Sequence, residues 1–144
     1  MAPTLTTEQR TKLILGALEA KERAYSPYSK FPVGAALLTR GGTIVKGASI
    51  DNASYGETIC AERTAIVKAV SDGVQEFIGL AVVANINSPI PPCGICRQVI
   101  REFCALDMPI LLVPGNYPRP SSPALDFYYM EGGVRETKLD LLLP

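Results

Sequence analysis

Three cysteines and one glutamate carry the most specific chemistry in this sequence. Cys60 and Glu62 lie in the stretch TICAERTA, and Cys93 and Cys96 form a Pro-Cys-x-x-Cys motif in SPIPPCGICRQV. Three cysteines from two motifs suit a tetrahedral zinc site with one open position, which is typical of catalytic rather than structural zinc. Because the chain contains no histidine, a zinc site here must be built from sulfur and oxygen ligands.

Glu62 follows one proposed ligand closely enough to reach the open position without binding the metal. From there a carboxylate can move a proton between zinc-bound water and a substrate. Three thiolates outweigh the charge of Zn²⁺, and the excess negative charge would weaken the metal as a Lewis acid. We expect helix N-termini to offset that charge, together with hydrogen bonds from Arg63 and Arg97 to the thiolates.

Two other interpretations of the cysteines remain open at this point. A structural zinc module would bind the metal with four protein ligands and would have no use for the carboxylate of Glu62. A dithiol oxidoreductase would use Cys93 and Cys96 without zinc, and Cys60 would then be idle. Cys104 fits neither motif and lies on an apolar helix face, so we expect it to be a buried core residue.

Periodicity and breaker residues predict the elements that must position these groups. Thr6 and Gln9 form a capping box for a first helix, and Gly41-Gly42 marks the turn of a β-hairpin. Cys60 and Cys93 are each predicted at a helix start that follows an extended segment, and ligands collect at the carboxyl ends of strands in such sheets. The predicted helices run from about Thr7 to Ala24, Cys60 to Val70 and Cys93 to Cys104.

The remaining segments predict an α/β layered fold with a mixed sheet. Strands are expected at VGAALLT, TIVKGASI, FIGLAVVAN and PILLVP. The tail contains a Pro/Ser-rich loop, a possible short strand at DFYYM, a Gly132-Gly133 turn and a last amphipathic piece, LDLLLP. We find no repeat or linker that would divide the chain, so residues 1–144 are expected to form a single domain.

Composition excludes several classes of partner. The 14 basic and 14 acidic residues are mixed along the chain, so no strong field attracts a nucleic-acid backbone. No apolar run is long enough to span a bilayer, and MAPTLTTEQR lacks the pattern of a signal peptide. We therefore expect a cytoplasmic protein with neither a membrane nor a nucleic acid as partner. In a reducing compartment, four cysteines indicate metal ligands, catalytic groups or core residues rather than disulfides.

The two cysteine motifs together resemble those of a known family. CAER at residues 60–63 and PCGICRQ at residues 92–98 closely resemble the zinc nucleoside deaminases, in particular the short, homotetrameric cytidine deaminases of the cytidine and deoxycytidylate deaminase family. YSPYSKFPVGAALLT, NASYGETICAERTA and the closing LLP are also similar to that family. The resemblance covers roughly residues 10–114 well and the tail poorly. It implies a three-layer α/β/α fold with a mixed five-stranded sheet, a nucleoside substrate and a homotetramer.

The resemblance also implies roles for individual residues. Zn²⁺ would be held by Cys60, Cys93 and Cys96, and a zinc-activated hydroxide would attack C4 of cytosine. Glu62 would protonate N3 and then the leaving amine, giving uridine and ammonia. The substrate contacts implied are the backbone around Ala61 on the pyrimidine, Phe31 against the nucleoside, and Tyr55 near a neighbouring subunit's site.

Two departures from the family pattern concern the substrate. The family normally has Asn-x-Glu, which grips the ribose 3′-hydroxyl, where this chain has Ser49 and Asp51. Shorter groups predict weaker discrimination at the 3′ position, or room for a modified cytosine nucleoside of the blasticidin type, because a lost hydrogen bond to a buried hydroxyl costs about 1–3 kcal/mol. The family often continues past LLP with an aromatic residue that covers the base, whereas this sequence stops at Pro144.

Overall fold

The chain begins with the predicted capping box. Thr6 Oγ1 accepts a hydrogen bond from Gln9 N, and the Gln9 side chain accepts one from Thr6 N. These bonds start helix α1, Thr7–Lys21. The structure is a computed structural model and describes residues 4–120 and 131–142. The helix ends three residues before the predicted limit of Ala24, because Tyr25 instead joins Ser49 and Ile50 in a bridge beside the sheet.

The hairpin and the two following helix–strand units occur in the predicted order. The elements are β1 Val33–Thr39, β2 Ile44–Ala48, α2 Ala61–Ser71, β3 Phe77–Ala84, α3 Gly94–Phe103 and β4 Pro109–Val113. Single-turn 3₁₀ helices occur at Tyr55–Glu57 and Glu131–Gly133. Gly132 and Gly133 both have positive φ angles, as expected of the predicted turn.

The C-terminal part contains a strand that the sequence pattern did not predict. β5, Arg135–Lys138, is followed at once by helix α4, Leu139–Leu142. β5 is short and mostly polar, and it pairs with the sheet edge through its backbone, so it lacks the alternation that marks a strand. The strand proposed at DFYYM lies outside the described residues.

The five strands form one mixed sheet in the order β2-β1-β3-β4-β5. β3 and β4 are parallel, whereas the other neighbouring pairs are antiparallel. α1 packs on one face with Leu13, Ile14 and Ala17, while α2 and α3 pack on the other with Ile66 and Ile100. This is the expected α/β/α layering. No helix in the described part of the chain is long and apolar enough to cross a bilayer.

Candidate active site

The helices α2 and α3 both start at a cysteine. Cys60 is the N-cap of α2 and Cys93 is the N-cap of α3, each with extended backbone angles. Cys96 lies in the first turn of α3 and is fully buried. The structure therefore brings together the three thiols from the two motifs at the N-termini of two helices, where unpaired backbone N–H groups favour negative charge.

The spacing of the sulfur atoms fits a zinc ion. Cys60 Sγ lies 3.7 Å from Cys93 Sγ, and Cys93 Sγ lies 3.3 Å from Cys96 Sγ. All three sulfurs lie within 4.8 Å of one another. Tetrahedral zinc with Zn–S bonds of about 2.3 Å separates its sulfur ligands by about 3.8 Å. Three thiols from this chain can thus occupy three positions of a tetrahedron and leave the fourth open.

The thiols of Cys60 and Cys96 differ in how readily they lose a proton. The pKa of Cys60 is lowered, first because the Cys96 thiol can donate a hydrogen bond to it and then because Arg63 lies beside it. The pKa of Cys96 is raised, first by that same hydrogen bond and then by burial. Arg63 Nη2 lies 3.6 Å from Cys60 Sγ and also donates to Thr58 O at 3.3 Å. Cys60 thus accommodates negative charge more readily than Cys96 does.

Glu62 is a buried carboxyl group beside the thiols. Glu62 is only 4% exposed, and its pKa is raised to about 7, mainly by this burial. The charge of a Cys60 thiolate raises it further, whereas hydrogen bonding to its own backbone N–H lowers it. A carboxyl group in this environment can hold and release a proton near neutral pH. This property suits the proton transfer expected of Glu62.

The second arginine does not lie where the sequence analysis expected it. Arg97 Nε donates to Pro92 O at 2.8 Å, and its Nη1 donates to Leu142 O at 2.6 Å. These hydrogen bonds go to backbone carbonyls and not to a thiol. Of the two arginines, it is Arg63 that lies within hydrogen-bonding distance of a cysteine sulfur in the described structure.

A cavity of about 260 Å³ opens beside the thiols and Glu62. Of the predicted substrate contacts, Phe31, Ser49 and Asp51 line it, whereas Ala61 is buried and Tyr55 is 71% exposed on its 3₁₀ helix. Most of the remaining wall is apolar, which suits a flat aromatic base. The lining consists of Ser29, Phe31, Val33, Ser49, Asp51, Thr58, Ile59, Cys60, Glu62, Val82, Ile90, Pro91 and Cys93.

Ser49 and Asp51 form hydrogen bonds within the wall of this cavity. Ser49 Oγ accepts from Val33 N at 3.0 Å. Asp51 Oδ2 accepts from Ser29 N at 2.9 Å and from Tyr28 N at 3.3 Å, while Oδ1 accepts from Ser29 Oγ at 3.1 Å. Sequence reasoning missed Ser29, because it stands in a Tyr/Pro/Ser-rich turn with no motif to distinguish it. Both predicted sugar contacts thus also fix the backbone that carries Phe31 and Val33.

The chain is similar to named proteins of one family over most of its length. The family "Cytidine and deoxycytidylate deaminase zinc-binding region" matches residues 7–112. A cytidine deaminase of Sporosarcina psychrophila is 50% identical over 133 residues, which cover 92% of this chain and 87% of that protein. A cytidine deaminase of Halalkalibacterium halodurans is 46% identical over 135 residues, covering 94% of this chain and 91% of that protein.

One solved structure and one further relative are also similar to this chain. The crystal structure of cytidine deaminase from Burkholderia pseudomallei superposes with a TM-score of 0.78 at 40% identity, covering 97% of this chain and 98% of that one. A blasticidin-S deaminase of Bacillus cereus is more distant, at 31% identity over 105 residues, with 67% of this chain and 74% of that protein covered. All three cytidine deaminases named here are thus more similar to this chain than the blasticidin-S deaminase is.

Proposed function

This chain belongs to the cytidine and deoxycytidylate deaminase family, and we propose that it hydrolyses cytidine and 2′-deoxycytidine to uridine and 2′-deoxyuridine with release of ammonia. One observation carries the proposal: the clustered thiols of Cys60, Cys93 and Cys96 and the buried carboxyl group of Glu62 line or adjoin one apolar-walled cavity. Thiols alone would suit a structural metal. A proton-holding carboxyl group beside them, facing a cavity, suits hydrolysis.

The thiols of Cys60, Cys93 and Cys96 would hold the zinc ion. When bound there, zinc supplies the Lewis acid that activates a water molecule for attack on C4 of cytosine. The guanidinium of Arg63 and the N-termini of α2 and α3 offset part of the negative charge of the thiolates, which would otherwise weaken the metal as a Lewis acid.

Glu62 would move the proton that the reaction needs. Its carboxylate takes a proton from the attacking water and delivers it to N3 of the base. The second proton of the same water, also transferred through Glu62, reaches the amino nitrogen at C4, which leaves as ammonia. Burial supports this role, because it raises the pKa of Glu62 to about 7 and so makes both protonation states accessible. The sum is one water consumed and one ammonia released.

The cavity walls would position the nucleoside. Phe31 and the backbone at Ala61 are the proposed contacts of the base, and Ser49 and Asp51 those of the sugar. Ionised Asp51 has lone pairs left after its three hydrogen bonds to the 28–29 turn, so it can still accept one from a sugar hydroxyl. Because both sugar contacts are already engaged with the backbone, we keep the prediction of weak discrimination at the 3′ position.

The test is the loss of cytosine absorbance with purified protein whose zinc content has been measured. Cytidine, 2′-deoxycytidine, 3′-deoxycytidine and a sugar-modified cytosine nucleoside are compared side by side. We expect turnover of the first two, and a difference between cytidine and its 3′-deoxy analogue of roughly a hundredfold at most in kcat/KM. A difference of several thousandfold would contradict weak discrimination at the 3′ position.

The same assay, together with a thiol-exchange assay, separates the alternatives. Activity confined to the modified nucleoside would favour the blasticidin-type substrate. Bound zinc without turnover of any nucleoside would favour a structural zinc module. Disulfide reduction by zinc-free protein in a thiol-exchange assay would favour a dithiol oxidoreductase that uses Cys93 and Cys96. Each result would overturn the proposed function.

Three further properties belong to the proposal. A place in pyrimidine salvage follows from the proposed products, which are free nucleosides. A homotetramer is supported by exposed aromatic residues, including Tyr25 at 51% and Tyr55 at 71% exposure, which another subunit can cover. We also propose a single domain that spans residues 1–144. A cytoplasmic location is consistent with a site made of reduced thiols.

A further inference from the structure

Arg97 joins two parts of the chain that are distant in sequence. Its Nε donates to the carbonyl of Pro92 at 2.8 Å, and its Nη1 donates to the carbonyl of Leu142 at 2.6 Å. Pro92 directly precedes Cys93, whereas Leu142 is the last residue of α4. One planar guanidinium therefore connects the loop that carries a proposed zinc ligand to the C-terminal helix.

We propose that Arg97 is a positioning residue, which holds the Cys93 thiol in place by tying the Pro92 carbonyl to the docked helix α4. The proposal rests on the proposed function in one respect, since it takes Cys93 to be a zinc ligand. It assigns Arg97 a role distinct from that of Arg63, whose guanidinium approaches a cysteine sulfur directly.

The loop before Cys93 has few means of holding its own backbone. Pro89, Pro91 and Pro92 have no backbone N–H, so three of its residues cannot donate a hydrogen bond. Cys93 itself is exposed, and its side chain makes no capping hydrogen bond. A cation that binds the Pro92 carbonyl thus supplies a hydrogen bond directly before α3, where the loop has few backbone donors of its own.

The other end of the link is firmly anchored. Leu139 of α4 is fully buried in the same core cluster as Ile100 of α3. Asp140 N also donates to Leu106 O at 3.1 Å, which ties α4 to the turn after α3. Because α4 is docked at two points, its terminal carbonyl gives Arg97 a fixed partner.

An arginine is suited to this task for a geometric reason. The guanidinium carries several N–H donors in a rigid fork, so it can bind two carbonyls at once, whereas a lysine ammonium on its flexible stem is a compact point charge. Replacement of Arg97 by lysine keeps the positive charge and removes the fork. The lysine variant therefore separates positioning of the loop from simple charge compensation of the thiolates.

The test measures zinc release from the zinc-loaded full-length protein to a chromophoric chelator, with the unfolding temperature of each variant recorded separately. We expect Arg97→Gln to release zinc about tenfold faster, in the range found for residues that orient metal ligands. Arg97→Lys should also release zinc faster than the parent. Arg101→Gln is the matched control, because Arg101 lies on the same helix and is exposed, and its release rate should equal that of the parent.

A second pair of variants tests whether the docking of α4 contributes. Leu139→Ala loosens the docking of α4 and should also speed zinc release, whereas Leu141→Ala, at a residue 69% exposed, should not. Because both act through one link, Arg97→Gln combined with Leu139→Ala should release zinc no faster than the faster of the two single variants. This pair, with Arg97→Lys, carries the test if Arg97→Gln does not fold.

Several outcomes would overturn the proposal. The first is a rate of zinc release in Arg97→Gln equal to that of the parent, and the second is an equally slow rate in Arg97→Lys. The third is a double variant whose rate is the product of the separate effects of Arg97→Gln and Leu139→Ala. If the parent holds zinc and turns over cytidine while these variants behave so, the positioning role alone fails. A parent that binds no zinc would instead overturn the proposed function together with this inference.

Discussion

Asp51 accepts hydrogen bonds from both the backbone N–H and the hydroxyl of Ser29, at 2.9 Å and 3.1 Å. The Ser29 hydroxyl oxygen in turn accepts from Phe31 N at 3.1 Å. A carboxylate in the wall of the cavity thereby fixes the turn that presents Phe31, another residue of the lining. Asp51 is consequently expected to contribute to stability as well as to substrate binding.

The Asp51 hydrogen bonds predict a specific pH dependence of stability. The backbone hydrogen bond from Ser29 is the main cause that lowers the pKa of Asp51 below its ordinary value of 3.8. A carboxyl group whose folded pKa is lowered stabilises the fold above its unfolded pKa, and this stabilisation is lost as the pH falls through the folded pKa. Asp51→Asn should therefore unfold at lower urea concentration than the parent at pH 6, with the difference shrinking below about pH 4.

A matched control for this measurement is Asp72→Asn. Asp72 is an exposed carboxyl group at the end of α2. Its side chain accepts none of the hydrogen bonds that fix the 28–29 turn, so its substitution should lower the urea midpoint at pH 6 less than Asp51→Asn does. A constant difference between Asp51→Asn and the parent from pH 2 to pH 6 would show that the hydrogen bonds to Ser29 do not depend on the ionised carboxylate.

Glu62→Gln should separate zinc binding from turnover. The amide has nearly the same shape but cannot carry the transferred proton, so we expect kcat on cytidine to fall by about 10²–10⁴. Zinc content should stay equal to that of the parent, because Glu62 is not among the proposed ligands. Glu57→Gln, at an exposed residue, is the control and should change neither quantity. Unchanged kcat in Glu62→Gln would argue for a structural metal.

Gly47→Ala should displace the helix that carries Cys60 and Glu62. A Cβ atom at Gly47 would lie 2.6 Å from Ala61 O and would also clash with Ala65 N, both of which are backbone atoms of α2. Backbone cannot move aside as a flexible side chain can, so we expect a loss of about 1–3 kcal/mol in the free energy of unfolding. Zinc content should fall as well, because Cys60 caps α2.

Gly56→Ala provides the comparison for Gly47→Ala. A Cβ atom at Gly56 would meet nothing within 4 Å. Urea unfolding and zinc analysis of the two purified variants should thus differ clearly, with Gly56→Ala within about 0.5 kcal/mol of the parent. Equal stability and zinc content in both variants would mean that α2 tolerates displacement from β2.

Cys104 should behave as a core residue and not as a ligand. It is the C-cap of α3 and 5% exposed, and burial raises its pKa to about 12. A protonated, buried thiol reacts slowly, so Cys104 should resist a thiol reagent until the protein unfolds. Cys104→Ala should retain zinc and activity, whereas Cys93→Ala should lose both. Loss of zinc in Cys104→Ala would contradict this assignment.

Local sequence patterns determined most of the elements and the chemistry available to them. The capping box at Thr6 and Gln9, the diglycine turns and the apolar runs are short-range signals, so the first three helices and the first four strands could be predicted within a few residues, whereas α4 was expected only as an amphipathic piece. The types and spacing of Cys60, Glu62, Cys93 and Cys96 were by themselves enough to indicate a three-sulfur metal site with an adjacent carboxyl group.

Tertiary structure decided the contacts that depend on backbone atoms distant in sequence. Arg97 binds the carbonyls of Pro92 and Leu142, and Asp51 binds the turn at Ser29, although every residue offers a carbonyl and nearly every residue an N–H. β5 likewise pairs through its backbone with the edge of β4. Backbone groups are the same in almost all residues, so no sequence pattern indicates which of them will form a given contact. Only the folded arrangement selects which of them meet a given side chain or strand.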